Sequence, residues 1–400
     1  MTNIAILGFG VVGSGVAKLI TDNYKETVGL GGDDINIKYI LDLRDFPNSP
    51  FADKVIHDYN IILNDPDISY VIEVMGGSHP AYEFTMSALK AGKSVISSNK
   101  EVVANFGDEF MAAAEAAGVS YRFEAAVGGG IPVLSPIITM LRQNKVSEVR
   151  GILNGTTNYI LTKMFSFGES FGDCLADAQA KGYAESNPDA DILGIDASRK
   201  IAILGALISD KLIPTDKIHT EGITKIRSED VKAASAIGCT IKLVGRCIVD
   251  CGGKCFIMVC PFMLPKDSSL SGVCGVYNAV EVVGEPIGNV MFYGPGAGAG
   301  ATASAVVGDL MQAMRSGRNI KMPVMEKSTA TLRDFSEFKT RNYIAILGDR
   351  ADAEVFGKVT FIEGDEVAFV TEEISEGFAE DALAKLCAKG ITVKSRIRLL

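Results

Sequence analysis

Short apolar runs alternate with stretches of helical period through the first third of the chain. Such alternation predicts βαβ units and a parallel sheet. Ile4 to Leu7 reads as a buried strand, Val11 to about Asp22 as an amphipathic helix, and Ile35 to Leu43 as a second strand. A Gly-rich stretch, Val28 to Asp34, is expected to connect that helix to that strand. Later strands are expected at 70–74, 94–97 and 119–124, with helices around 81–91 and 101–117.

From Gly130 onward the pattern changes to longer helices, then to β-rich hairpins between about Thr240 and Phe292. This middle region is expected to be an α+β substrate and subunit-contact domain. One hairpin turns at Cys251-Gly252-Gly253-Lys254, with apolar runs on both sides. The Gly-rich run 294–300 precedes a helix at 303–314, and 318–331 reads as a connector. Strands near 343–347, 358–362 and 366–371, then a helix near 379–388, predict a small separate α+β module.

Four hundred residues exceed what one hydrophobic core organises, in keeping with several domains. A net charge of −10 argues against nucleic acid as a partner, because phosphate neutralisation needs clustered Lys and Arg. No run approaches the roughly 18 to 20 apolar residues of a membrane helix, so no membrane partner is expected. The start MTNIAILGFG enters a strand directly, which predicts a cytoplasmic protein. Cys247, Cys251, Cys255 and Cys260 match no zinc spacing and read as reduced, packed thiols.

Gly8-Phe9-Gly10-Val11-Val12-Gly13 follows the first strand and opens the first helix. The first glycine permits a tight turn, the second lets backbone approach a pyrophosphate, and the third lets helix and strand pack closely. Exposed N–H groups at the helix start, at Val11 and Val12, then hold phosphates. A Rossmann domain over 1–130 follows. An acidic residue ending the second strand bonds a ribose 2′-hydroxyl, whereas a basic one accommodates a 2′-phosphate. Asp42-Leu43-Arg44-Asp45 offers both; Arg44 at the tip favours NADP, and NAD use stays open. Gly76 and Gly77 sit where the sheet's carboxyl ends face the nicotinamide half, or are ordinary loop glycines.

Hydride transfer to a carbonyl needs a group that exchanges the proton on oxygen. His57, His79 and His219 read as structural or exposed, which leaves lysine, its pKa of about 10.4 lowered by burial or by cations. Lys100, after Ser97-Ser98-Asn99, follows a parallel strand at its carboxyl end, where ligands bind. Lys200 lies four residues after Asp196 on a helix, so the two share a face. Apolar residues at 192, 193, 195 and 201–203 mark that helix as largely buried, and buried charges need partners or a ligand. Spacing alone leaves a solvated ion pair and a reacting pair both open.

Taken together, the glycine motif, Ser98-Asn99-Lys100, Glu124 to Pro132, Asn154-Gly155-Thr156-Thr157-Asn158-Tyr159-Ile160, the block Gly182 to Lys200 and the run Gly296 to Asp309 resemble the homoserine dehydrogenase family. The resemblance spans roughly residues 1–330, in order. It implies NAD(P)-dependent interconversion of L-homoserine and L-aspartate 4-semialdehyde, on the branch toward threonine, methionine and isoleucine. It implies Lys200 and Lys100 as acid/base groups, Asp196 orienting Lys200 or the reacting oxygen, and Glu185 and Asp191 receiving the substrate ammonium. Ser98 and Gly298 would contact the cofactor. A monovalent cation, commonly sodium, would take oxygens from Glu124, Val127, Gly129 and Ile131, as hard cations do; the same glycines could instead form a hinge.

The expected architecture is therefore a Rossmann domain (1–130), a catalytic and dimerisation domain (131–330) whose final helix, about 303–316, packs back on the first, and an ACT-like module (331–400). A homodimer or homotetramer is implied. Asn187 stands where the family usually has Asp, and the segment 265–271 lacks the usual nearby His-Pro. The usual Pro-Gly loop of an ACT module is replaced by Gly348 to Ala353, so threonine feedback and a purely structural appendage both stay open.

Overall fold

A computed structural model describes residues 1–141, 143–316, 326–364 and 366–400. The chain forms two compact units. One comprises Met1–Lys145, Ala202–Asp216 and Gly294–Ala330; the other comprises Val146–Ile201, Lys217–Tyr293 and Thr331–Leu400. This partition differs from the expected boundaries at 130 and 330, because the stretch 131–330 is shared between the units. The connector expected over 318–331 lies mostly outside the described residues.

The first unit is built on β1 (Thr2–Leu7), β2 (Ile35–Leu41), β3 (Val55–Ile56), β4 (Ile68–Glu73), β5 (Ser94–Ser97) and β6 (Tyr121–Arg122). All pair in parallel, in the order β3-β2-β1-β4-β5-β6. Ile4, Ala5, Ile6 and Leu7 are fully buried, as a central strand covered on both faces requires. Helix α1 (Val11–Asp22) packs Val16, Ala17 and Ile20 into this core, and the helix Ala299–Ser316 adds Ala303, Val306, Leu310 and Met311. Strand order reverses beside β1, so a crevice opens at the carboxyl ends of β1, β2 and β4.

Three details depart from expectation. Part of the supposed connector is helix, Tyr24–Gly31, ended by Gly32 at φ +83; its own glycines disguised it. The edge strand β3 has only two residues, too few to show a period. The strand expected to reach 124 stops at Arg122, because Glu124 begins a tight turn, Glu124–Ala126.

The second unit holds a mixed sheet. Its strands run Gly288–Pro295, Tyr277–Glu285, Lys145–Ile152, Cys239–Val249, Cys255–Pro265, Thr392–Leu399, Asn342–Leu347, Val367–Thr371 and Val359–Ile362, with His219–Thr220 beside Cys255–Pro265. The hairpin around 251–254 forms, pairing Cys247 with Ile257 and Val249 with Cys255. None of the eight cysteines is disulfide-bonded. The expected separate C-terminal module needs correcting. Thr392–Leu399 pairs in parallel with Cys255–Pro265, so the last seventy residues continue this sheet. Charged positions hide that strand in the sequence: Arg398 is 1% exposed and paired with Glu376 and Glu221. Among the described residues, no helix is long and apolar enough to cross a membrane.

Candidate active site

The glycine loop between β1 and α1 has the geometry its spacing implies. Gly8 adopts φ +94, which favours glycine. A Cβ on Gly13 would lie 2.0 Å from the Gly8 carbonyl oxygen, so helix and loop touch there. Nothing lies within 4 Å of the corresponding position on Gly10, which leaves its backbone approachable. Gly8, Gly10, Arg44 and Gly76 line one cleft of about 490 Å³, together with Asp42, His57 and Tyr59. Val11 is 72% exposed at the helix start, and Val12 is half-buried.

Asp42 reaches this cleft as well as Arg44. Its Oδ2 accepts the Phe9 N–H at 2.8 Å, and its two oxygens take Arg44 Nε and Nη2 at 3.0 Å each. The guanidinium holds the Asp42 carboxyl down at about 2, helped by the Phe9 and Arg44 N–H groups and opposed by burial. His57 was not anticipated here. The short strand β3 carries it to the cleft wall, where Nδ1 donates to the Asp42 carbonyl at 2.7 Å and Nε2 lies 3.1 Å from Asp45.

Further along the sheet, β5 ends at Ser97, and Ser98 leads to Asn99, which caps the helix Lys100–Ala117. Ser98 and Lys100 are half-buried. Asn99 Oδ1 accepts the N–H groups of Glu101 and Val102. Asn99 Nδ2 reaches across to the Gly77 carbonyl at 2.7 Å. Behind these tips lies Glu73, fully buried, whose place inside an apolar strand gives no local sign of a functional role.

The Gly-rich segment after β6 is also part of the first unit. Gly128 and Gly129 have φ +76 and +57, and a Cβ on Gly129 would meet the Gly296 carbonyl at 2.5 Å. Val127 and Ile131 are buried. The Glu124 carboxylate accepts N–H groups from Val133, Leu134 and Ser135 at 2.6 to 2.7 Å. Its own N–H donates to Asp309 at 2.7 Å. Gly298, at φ +112, precedes the helix Ala299–Ser316.

In the second unit the Asp196–Lys200 pair is buried, at 4% and 8% exposure. Lys200 Nζ donates to Asp196 Oδ2 and to the Leu153 carbonyl, both at 2.7 Å. Asn154 Nδ2 bridges Asp196 at 2.9 Å and Asp191 at 2.7 Å. Asn154 Oδ1 meanwhile accepts the Thr157 N–H and caps the helix Gly155–Phe167. Burial raises the Asp191 carboxyl; the Asn154 amide lowers it, and the Asp196 charge raises it again. A solvated ion pair does not fit this environment. Glu185 is exposed on the loop after the helix Phe171–Ala180, its carbonyl held by Gln179, and joins none of these described bonds. Asn154 is the linking residue whose role the sequence concealed; its position in Asn-Gly-Thr-Thr marks a helix cap and nothing more.

His219, Glu221 and Cys260 lie within 4.8 Å of one another. Arg398 occupies both Glu221 oxygens at 2.9 Å. Burial raises that carboxyl, but His219 and Arg398 outweigh it and hold it at about 2. This is an ion-pair cluster that stitches the final strand to the sheet.

Two family models match the chain: "Homoserine dehydrogenase, NAD binding domain" over residues 8–124 and "Homoserine dehydrogenase" over 132–311. The homoserine dehydrogenase of Bacillus subtilis is 39% identical over 322 residues, covering 79% of this chain and 73% of that protein. The crystal structure of a homoserine dehydrogenase from Thiobacillus denitrificans superposes with a TM-score of 0.91 at 31% identity, covering 100% of this chain and 98% of that one. A hyperthermophilic archaeal homoserine dehydrogenase mutant in complex with NADPH matches with a TM-score of 0.68 at 28% identity, covering 79% and 98%.

Proposed function

Because the chain belongs to the homoserine dehydrogenase family, and is an oxidoreductase interconverting L-homoserine and L-aspartate 4-semialdehyde, we propose that Lys200 exchanges the proton on the reacting oxygen. The supporting observation is the buried chain Lys200–Asp196–Asn154–Asp191. A lysine sunk that deeply needs its carboxylate, and the carboxylate fixes the ammonium's direction. In oxidation the neutral amine takes the hydroxyl proton; in reduction the ammonium returns it. Asp191, beside this pair, receives the substrate ammonium, with Glu185 closing from the exposed loop. Lys100 is the second acid/base candidate, carried by the first unit.

The first unit binds a nicotinamide cofactor, as its family model implies. When bound, that cofactor supplies or accepts the hydride. Backbone from Gly8 to Gly13 holds its phosphates; Gly76, Ser98, Lys100 and Gly298 line the nicotinamide half. Arg44 is our candidate for the 2′-phosphate, which makes NADP the preferred form with NAD a weaker one. Asp42 restrains Arg44 until a phosphate draws the guanidinium away.

A monovalent cation, probed first as sodium, fits backbone oxygens better than the Glu124 carboxylate, whose oxygens already accept three N–H groups. The donor set is the carbonyls of Glu124, Val127, Gly129 and Ile131, turned by the two left-handed glycines. We further assign the chain to the threonine, methionine and isoleucine branch, in the cytoplasm, as a homodimer or homotetramer. An ACT-like role for residues 331–400 stays with this proposal. A spectrophotometric assay with homoserine and each cofactor, with and without sodium, tests these readings. Absorbance at the reduced-nicotinamide band should rise fastest with NADP; equal rates with NAD would reject the cofactor preference.

A further inference from the structure

Glu73 has no solvent exposure, yet its neighbours along β4 and β5, Ile72 and Ile96, are apolar and equally buried. A carboxylate in such a place costs several kcal/mol unless donors compensate it. Its donors all belong to the site. Oε1 accepts the Met75 N–H at 2.9 Å, in the turn that leads to Gly76 and Gly77. Oε2 accepts the Ser97 hydroxyl at 2.6 Å, and Ser97 Oγ accepts the Asn99 N–H at 3.0 Å. The Glu73 carbonyl takes the Ser98 N–H at 3.1 Å. Asn99 then closes the ring through Gly77 and caps the helix that starts at Lys100. One buried carboxylate therefore joins the nicotinamide-side turn to the helix start that bears Lys100.

We propose that Glu73 is a positioning residue that, through Ser97 and Asn99, fixes Lys100 relative to the Gly76–Gly77 turn. The role rests on the reading of Lys100 as an acid/base group. Burial pushes the Glu73 carboxyl up to about 7, against the bonds from Ser97, Met75 and Asn99 that lower it. β1 presents Leu7 beside it, β5 Ser97, β6 Tyr121 and the helix cap Asn99. Of these only Tyr121 titrates, and burial with the Glu73 charge raises its hydroxyl well beyond the working range. Above about 7 the carboxylate accepts both donors. Below it one of the two oxygens carries a proton and becomes a donor, so the pair of bonds accepted from Met75 and Ser97 cannot both persist. Turnover therefore falls as pH drops through that value.

Glu73→Gln keeps the side chain's size but imitates the protonated acid. A displacement of an ångström at a reacting group costs about a hundredfold, so kcat should fall roughly ten- to a hundredfold with KM for homoserine changed by less than about twofold. The acid limb near neutral pH should vanish in this variant. Combined with Lys100→Ala, it should add no further loss, since a residue acting through Lys100 has nothing left to position. Wild-type kcat with the limb intact, or losses that multiply in the double variant, overturns the proposal. Wild-type turnover in Lys100→Ala alone would instead remove the reading of Lys100, and the positioning role with it. Should Glu73→Gln fail to fold, Ser97→Ala reads the same link from β5: lowered kcat with unchanged KM supports the role, and wild-type kcat rejects it.

Discussion

Two carboxylate–cation pairs share a largely buried carboxylate but differ in the exposure of the cation. Asp42 and Arg44, in the first unit, meet at 3.0 Å with the arginine side chain 65% exposed and the aspartate at 9%. Asp196 and Lys200, in the second, meet at 2.7 Å with both side chains at 11% exposure or less. Water and salt reach the first pair from its arginine side and screen the contact, so it gains less. It can exchange partners, which suits the role proposed for Arg44, gripping a phosphate in place of its carboxylate. The buried pair has no such freedom: each charge depends on the other and on Asn154 and the Leu153 carbonyl. The looser arrangement suits the recognition proposed for Arg44, and the rigid one suits the proton transfer proposed for Lys200.

Breaking the buried pair should therefore do the greater damage. Asp196→Ala leaves an ammonium without its counter-ion, and denaturant titration should show a loss of about 3 to 5 kcal/mol. Turnover should fall on the order of a hundredfold in the same variant. Asn154→Ala is expected to cost less, about tenfold in kcat/KM for homoserine. Its pH profile carries the sharper information. The Asn154 amide lowers the Asp191 carboxyl by bonding its charged form, so removing it raises that pKa. The acid limb of kcat/KM should then move to higher pH; a shift to lower pH would contradict the assignment of Asp191 as the ammonium's partner. Arg44→Ala should raise KM for NADP about tenfold and that for NAD by less than about twofold, measured by initial rates. Equal effects on the two cofactors would rule out 2′-phosphate recognition. The smallest effect is expected from salt: higher ionic strength should weaken NADP binding in the wild type, and much of that dependence should disappear in Arg44→Ala.

The two pairs also differ in how far the sequence reveals them. Gly8, Gly10 and Gly13 act through backbone, so a three-glycine spacing after a strand carries nearly the whole local geometry. Asp42 and Arg44 are two residues apart, and their contact is local. By contrast, Asn154 reaches Asp191 and Asp196 across 37 and 42 residues of chain, a distance no periodicity encodes. Glu73 reads as an ordinary strand residue until β5 supplies Ser97 beside it. The final strand was hidden for the same reason: Arg396 and Arg398 look solvent-facing until Glu376 and Glu221 are brought to them by the fold. The longer helices and central parallel strands of the first unit are legible because hydrophobic period is local; the helix Tyr24–Gly31, the two-residue β3 and the sheet membership of the last seventy residues are not.

The central claim is that the Lys200 amine, held by Asp196, moves the proton on the substrate oxygen. Its most direct test is turnover by Lys200→Ala in the presence and absence of a small primary amine, with cofactor affinity followed by nicotinamide fluorescence. The expected result is a loss of at least about a hundredfold in kcat, unchanged cofactor affinity and partial recovery when the amine is added. Turnover near the wild-type rate without the amine would contradict the claim.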